Sequence, residues 1–538
     1  MTTIANPILR GFNPDPSILR VEDDIYIATS TFEWFPGVQI HHSRDLVNWR
    51  LVGRPLTRAR QLDMRGAPDS CGVWAPDLTY ADGRFHLIYT DVKRYGRTTA
   101  AGASGASLRD FHNYWVHCDR IDGEWSDPVH LNSSGFDPAL FHDDDGRSYL
   151  LNMLWDHRPG RRRFAGIVLQ EMDLRTGALL GERRRIFDGT ALGFTEGPHL
   201  YKRDGWYHLL VAEGGTGWNH AVTMARSRSI DGPYEVHPDG PVLTARDKPH
   251  AMLQRSGHAD LVDLPDGTTW MAYLCGRPLP SRGRCVLGRE TAIQPMIWGE
   301  DGWLRTRAGD AAPEAEPDAP ALTPAPWPPA PDRDDFDGPD LPPAFQWLRS
   351  PEPSRLFSLT DRPGHLRLFG RETIGSLHEQ ALVARRQTSW EFRAECVLDF
   401  TPSHFQQAAG LVHYYNSTKL HYLFVSHDEE IGRHLQVMSM LPDQVQADLF
   451  GERIAIEDGP IALAASVDRH MLRFGFRTKS AADWTWLPEM LDASALSDEA
   501  TLPGLPNFTG AFVGMACQDL AGTAVPADFD SFTYIETA

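Results

Sequence analysis

"GFNPDPSILRVEDDIYIAT" spans residues 11–29. Read alone, it is a turn made by two prolines around Asp15, followed by an apolar strand. It takes on another meaning beside "APDLTYADGRFHLIYT" (75–90), "DPALFHDDDGRSYLLN" (137–152), "GPHLYKRDGWYHLLV" (197–211) and "HADLVDLPDGTTWMAY" (258–273). Each opens on a small or acidic residue or a histidine, continues with Pro or Ala, and then reads strand, turn, strand. The openings at residues 15, 75, 137, 197 and 258 lie 60, 62, 60 and 61 residues apart, a regularity that chance does not supply. Asp-Gly marks the turn four times (Asp82-Gly83, Asp145-Gly146, Asp204-Gly205, Asp266-Gly267). That dipeptide supplies the positive φ a tight hairpin needs.

A fainter repeat follows in three units: "RDLVNW" to Trp49, "RIDGEW" to Trp125 and "SIDGPY" to Tyr234, each the turn before an outer strand. No sustained helical period interrupts the units. Several short strands per ~60-residue period read as one propeller blade each. Five repeats therefore predict an all-β chain that opens with a five-bladed β-propeller over residues 1–310. In a propeller the innermost strands line the central channel, so the residues opening them converge at one mouth: Asp15, Ala75, Asp137, Gly197 and His258. Trp74 and Glu196 each stand one place earlier. Three carboxylates, a histidine and a tryptophan are thereby expected together.

Residues 311–333 form a Pro/Ala-rich linker, "AAPEAEPDAPALTPAPWPPAP" at its heart. From 334 to 538 short β-rich runs resume, among them "FRAECVLDF", "HYLFVSH" and "GAFVGMACQD". They predict a β-sandwich accessory domain with Trp347, Phe392, Phe400 and Phe474 as core candidates.

The net charge of -20, with no long basic block, excludes nucleic acid and anionic membrane as partners and favours a neutral substrate. Sixteen tryptophans suit sheet packing or sugar stacking alike. The six cysteines form no CxxC pair, which removes the usual zinc and redox motifs. No signal-like N-terminal segment and no apolar run of ~18 residues is present, so the expected location is the cytoplasm.

Paired carboxylates on a rigid scaffold are the equipment of glycoside hydrolysis, one protonated to assist the leaving oxygen and one ionised. The motifs "NPDPS" (13–17), "WAPD" (74–77), "GFDPALFHDDDG" around Asp137, "TEGPHLYKRDGWYHLLVAEGG" around Glu196, "GHADLV" around His258 and "CVLGRETAIQP" around Arg289 resemble glycoside hydrolase family 43. The likeness is greatest to its two-domain β-xylosidase branch and extends to "FTGAFVGMACQD" near the C-terminus.

The resemblance implies an inverting, exo-acting enzyme that releases xylose from the non-reducing end of short xylo-oligosaccharides. It implies Asp15 as general base, Glu196 as general acid, and Asp137 as the residue that orients Glu196 and keeps its pKa high. For substrate contacts it implies Arg289, His258, Trp74 and Phe32, with Phe508 contributed by the sandwich. It implies no required cofactor, and a homo-oligomer. His258 has three readings: a core histidine, a sugar-pocket residue, or a metal ligand, with a divalent cation near it. Asp77 and Asp260, two places beyond the strand openings, read as structural. Arg161 to Arg163 and His41-His42 read as solvated loop features. The rival functions are an α-L-arabinofuranosidase or an enzyme with both activities, a non-catalytic sugar-binding propeller, and a retaining fructosidase.

Overall fold

The computed structural model describes residues 2–96, 108–280, 282–441, 448–501 and 507–537. It contains strands and two short 3-10 turns, and no α-helix among the described residues.

Five separate sheets follow one another, each built from consecutive strands except that the first skips Trp34–Phe35. Their innermost strands are Ser17–Val21, Gly72–Ala81, Ala139–His142, Glu196–Arg203 and Gln254–Asp263. The outer strands predicted after Trp49, Trp125 and Tyr234 are present as Arg50–Gly53, Val129–Asn132 and Glu235–Val236. Of the four Asp-Gly turns, two have both residues at positive φ (Asp82 and Gly83, Asp204 and Gly205). In the other two only the glycine is left-handed.

The ring closes between blades 5 and 1 without exchanging a strand. Leu9 bridges Thr291, Asn13 N–H donates to the Arg289 carbonyl at 2.9 Å, and the Asn6 amide spans the Ile293 backbone. The predicted linker is fastened down: the Ile4 and Asn6 amides donate to Pro317 and Ala315, and Trp327 stacks under Arg50 at 3.6 Å.

The C-terminal region is a sandwich of two nine-stranded sheets. Trp347, Phe392, Phe400 and Phe474 are buried in its core, as predicted. One sheet alternates, with Glu391–Asp399 burying every second residue. In the other, Gln407–Asn416 is buried at every position, the mark of a sheet covered on both faces. This second sheet takes its first strand from the propeller. Trp34–Phe35, from blade 1, pairs with Phe345–Leu348, and Trp34 stacks on Phe512 at 3.7 Å. The two domains thus share one hydrogen-bonded sheet, which holds the sandwich over the propeller mouth.

Candidate active site

The five residues predicted to open the inner strands all have a left-handed backbone, Asp15 (φ 56°), Ala75 (37°), Asp137 (52°), Gly197 (54°) and His258 (43°), but Ala75 and His258 fall inside Gly72–Ala81 and Gln254–Asp263 rather than at their starts. For residues with a Cβ this costs about 1–2 kcal/mol each, a strain found where function requires it. The ladder register also shifts here in three blades, between Trp74 and Asp77, Glu196 and His199, and Gln254 and Ala259. Such bulges re-aim side chains. At Gly197 a Cβ would lie 3.1 Å from the His258 ring, so glycine serves both conformation and space.

These side chains meet in a cavity of about 200 Å³, lined by Asp15, Asp137, Glu196, His258, Arg289 and an aromatic wall. That volume is below the roughly 300–1,000 Å³ typical of drug-sized ligand sites and suits a single sugar ring. The wall holds the three predicted aromatics, Phe32, Trp74 and Phe508. Trp74 lies 5.4 Å from Phe32 and 5.7 Å from Phe508, centroid to centroid.

Asp15 is held from two sides. Ser30 Oγ donates to Oδ2 at 2.7 Å, and Arg289 Nη1 to Oδ1 at 3.1 Å. Ser30 Oγ in turn accepts the Ala75 amide, tying blade 1 to blade 2. Asp137 receives the Gly197 N–H at 3.0 Å. Burial pushes its carboxyl well above the usual range, and the charge of Asp15 adds to this, against Arg289. Glu196 has no protein hydrogen-bond donor among the described residues. Burial raises its pKa well above the ordinary glutamate value, with Asp137 and then Asp15 contributing and Arg289 opposing. The like-charge effect expected of Asp137 is thus present, but it comes after desolvation. His258 Nδ1 stands 3.9 Å from Asp15 Oδ1, beyond hydrogen-bond reach, and burial lowers its pKa to about 4.

Phe508 enters from the sandwich. Arg289 Nη2 and Nε donate to its carbonyl at 2.9 and 3.2 Å, and its N–H donates to Ser70 Oγ. The backbones touch at two glycines: a Cβ on Gly288 would lie 2.5 Å from the Thr509 carbonyl, and one on Gly510 2.9 Å from that of Leu287. Arg289 therefore serves both the catalytic carboxylate and the domain junction.

The floor lies further down the same strands. Ser17 Oγ lies 3.0 Å from Asp77 Oδ1 and 3.1 Å from Asp260 Oδ2. The Leu140 amide donates to Asp77, and Ile18 N–H and Tyr201 OH donate to Asp260. His199 Nδ1 sits 3.6 Å from both carboxylates. Asp77, His199 and Asp260 bring ligand atoms within 4.8 Å of one another, and both carboxylates also accept hydrogen bonds from neighbouring strands. Near His258, Asp15 is committed to Ser30 and Arg289, whose guanidinium repels a cation. The place beside His258 therefore does not fit a protein-held divalent ion.

Tyr95, Phe136, Phe164, Phe194 and Thr216 also line the cavity and were not foreseen. Phe136 and Phe194 precede the strand openings, Tyr95 and Thr216 sit in loops, and Phe164 begins the strand Phe164–Asp173 away from the innermost row, so the repeat does not point to them. Phe136 and Phe194 do stand within two residues of the acids, in "GFDP" and "GFTE", a signal that could have found them.

A profile for glycosyl hydrolases family 43 matches residues 4–304, and one for the beta xylosidase C-terminal concanavalin A-like domain matches 333–535. The chain is 52% identical over 550 residues to xylosidase/arabinosidase 43B of Humicola insolens, covering 99% of this chain and 98% of that one. It is 48% identical over 544 residues to a beta-xylosidase of Bacillus subtilis, covering 99% of each. The crystal structure of a xylan beta-1,4-xylosidase from Bacillus halodurans superposes with a TM-score of 0.95 at 49% identity, covering 99% of this chain and all of that one. The chain belongs to glycosyl hydrolase family 43.

Proposed function

We propose that this glycoside hydrolase is an inverting, exo-acting β-xylosidase that removes the non-reducing terminal xylose of short xylo-oligosaccharides. The observation that carries the reading is the single-ring cavity, lined by Phe508 of the sandwich and by three carboxylates in unlike surroundings: Asp15 bonded to Ser30 and Arg289, Asp137 to one backbone amide, and Glu196 with its pKa raised by burial.

Asp15, aimed by Ser30 and Arg289, takes a proton from a water as that water's oxygen bonds to the anomeric carbon. Glu196, kept protonated by burial and by its acidic neighbours, gives its proton to the glycosidic oxygen as the old bond breaks. No covalent intermediate forms, and each turnover leaves Asp15 protonated and Glu196 ionised until solvent exchange resets them. Asp137 positions the acid through the Gly197 amide. The neutral His258 and the aromatic wall hold the ring.

No divalent cation is required, because Arg289 supplies the positive charge beside Asp15. We place the protein in the cytoplasm, in keeping with six buried, unpaired cysteines. α-L-Arabinofuranosidase activity is the second reading, favoured by the double name of the Humicola relative.

Turnover of the aryl β-xyloside and the aryl α-L-arabinofuranoside, beside xylobiose and with or without chelator, tests the proposal. Xylobiose cleavage with the xyloside preferred, unchanged by chelator, is expected. Cleavage of the arabinofuranoside alone would overturn it.

A further inference from the structure

The chain carries a net charge of -20, yet arginines gather on the cavity rim on the Glu196 side. Phe194, two residues before Glu196 and 53% exposed, meets Phe164 at 5.1 Å, and Phe164 meets Trp155 at 5.4 Å. Because Glu196 faces the leaving oxygen, this aromatic ridge borders the departing part of the substrate. The loop joining Trp155 to Phe164 reads "DHRPGRRR".

Arg158 in that loop is neutralised by Asp156 at 2.6 Å. Arg161, Arg162 and Arg163 have no carboxylate partner among the described residues. Arg162 reaches the Thr190 carbonyl on the loop that carries Phe194, and Arg163 the His157 carbonyl, so the run is tied to the rim. Arg109, a fourth arginine with no carboxylate partner among the described residues, lies 4.6 Å from both the Tyr95 and Trp155 ring centroids and hydrogen-bonds the Tyr95 side chain. Its Nε is buried without an acceptor. Four guanidinium groups with no carboxylate partner among the described residues, on one rim of an acidic protein where most arginines are ion-paired, are more than a solvated charge run.

We infer that the rim formed by Arg109 and Arg161–Arg163 binds a carboxylate on the leaving-group side, so that the enzyme accepts xylo-oligosaccharides whose departing part bears a uronic-acid substituent. The inference rests on the β-xylosidase reading above. A neutral terminal xylose enters the acidic cavity, which would repel an anion, while the substituent stays outside it on the arginines. Guanidinium is the cation best shaped for a carboxylate, through paired N–H donors.

The test compares kcat/KM on three substrates: xylotriose, an aldouronic oligosaccharide with unsubstituted terminal xylose and a uronic acid on the next residue, and its carboxyl-reduced neutral analogue. At low salt the acidic substrate should exceed its reduced analogue by about fivefold, in line with a few exposed charge contacts, and the advantage should fade in 0.5 M salt as screening sets in. In the Arg161→Gln/Arg162→Gln/Arg163→Gln variant the advantage should shrink toward unity while xylotriose turnover holds. Equal rates on the acidic and reduced substrates, or an advantage unchanged in the variant, would overturn the inference. Failure to cleave xylotriose at all would instead overturn the β-xylosidase reading.

Discussion

Two layers of side chains project from the same inner strands, and the same residue types do opposite work in them. The mouth has Asp15, Asp137, Glu196 and His258; the floor has Ser17, Asp77, His199 and Asp260. In the floor each carboxylate accepts hydrogen bonds from neighbouring blades, and together they bind blade 1 to blades 2 and 5 and blade 2 to blade 3. In the mouth Asp15 accepts from Ser30 and Arg289, Asp137 from one backbone amide, and Glu196 from no protein donor among the described residues. A carboxylate bonded on both oxygens between blades, with no cavity beside it, is a rivet. One left open beside a cavity keeps a raised pKa and a proton to give. Burial alone does not separate the layers, since it also pushes Asp77 up, to about 6.

The largest effect expected from breaking this contrast is on turnover. Glu196→Gln and Asp15→Asn should each lower kcat on xylobiose by about 10²–10⁴-fold, with melting close to wild type. Asp260→Asn should do the reverse: it removes charge-assisted acceptors and destabilises by about 1–3 kcal/mol, while kcat per folded molecule changes only a few fold. Thermal melts run beside the assays check both. A large kcat loss in Asp260→Asn without destabilisation would dissolve the distinction.

Next in size is a shift in pH dependence. Asp137 raises the Glu196 pKa, so Asp137→Asn should move the alkaline limb of the kcat profile to lower pH. The same raised pKa bears on stability. Folding favours protonated Glu196, a contribution present at low pH and lost as pH rises through the folded-state value. Melting temperature should therefore fall less steeply on the alkaline side in Glu196→Gln than in wild type, as scanning calorimetry across pH would register.

Phe508→Ala comes last. It removes one aromatic wall but keeps the carbonyl held by Arg289. KM should rise by about tenfold, the worth of a stacking contact of roughly 1–1.5 kcal/mol, with a smaller change in kcat.

The blades and their register were legible because strand periodicity, Asp-Gly turns and a fixed spacing all recur in the chain. That register alone brought Asp15, Asp137, Glu196, Trp74 and His258 to one mouth, and Asp77 and Asp260 one layer below it. Arg289, Phe32 and Phe508 came from family resemblance, since no repeat marks them. The left-handed backbone at all five openings was not legible, because Ala75 and His258 are not residue types that announce positive φ. Nor was the strand Trp34–Phe35 in the sandwich sheet, whose partner lies some 310 positions away in Phe345–Leu348. Pairing over that distance leaves no local pattern.

The most direct test of the central claim is proton NMR of the xylose first released from xylobiose. Attack by a water held at Asp15, opposite the proton donor Glu196, predicts that the α-anomer appears first and mutarotates to the equilibrium mixture. Initial appearance of the β-anomer would contradict the account.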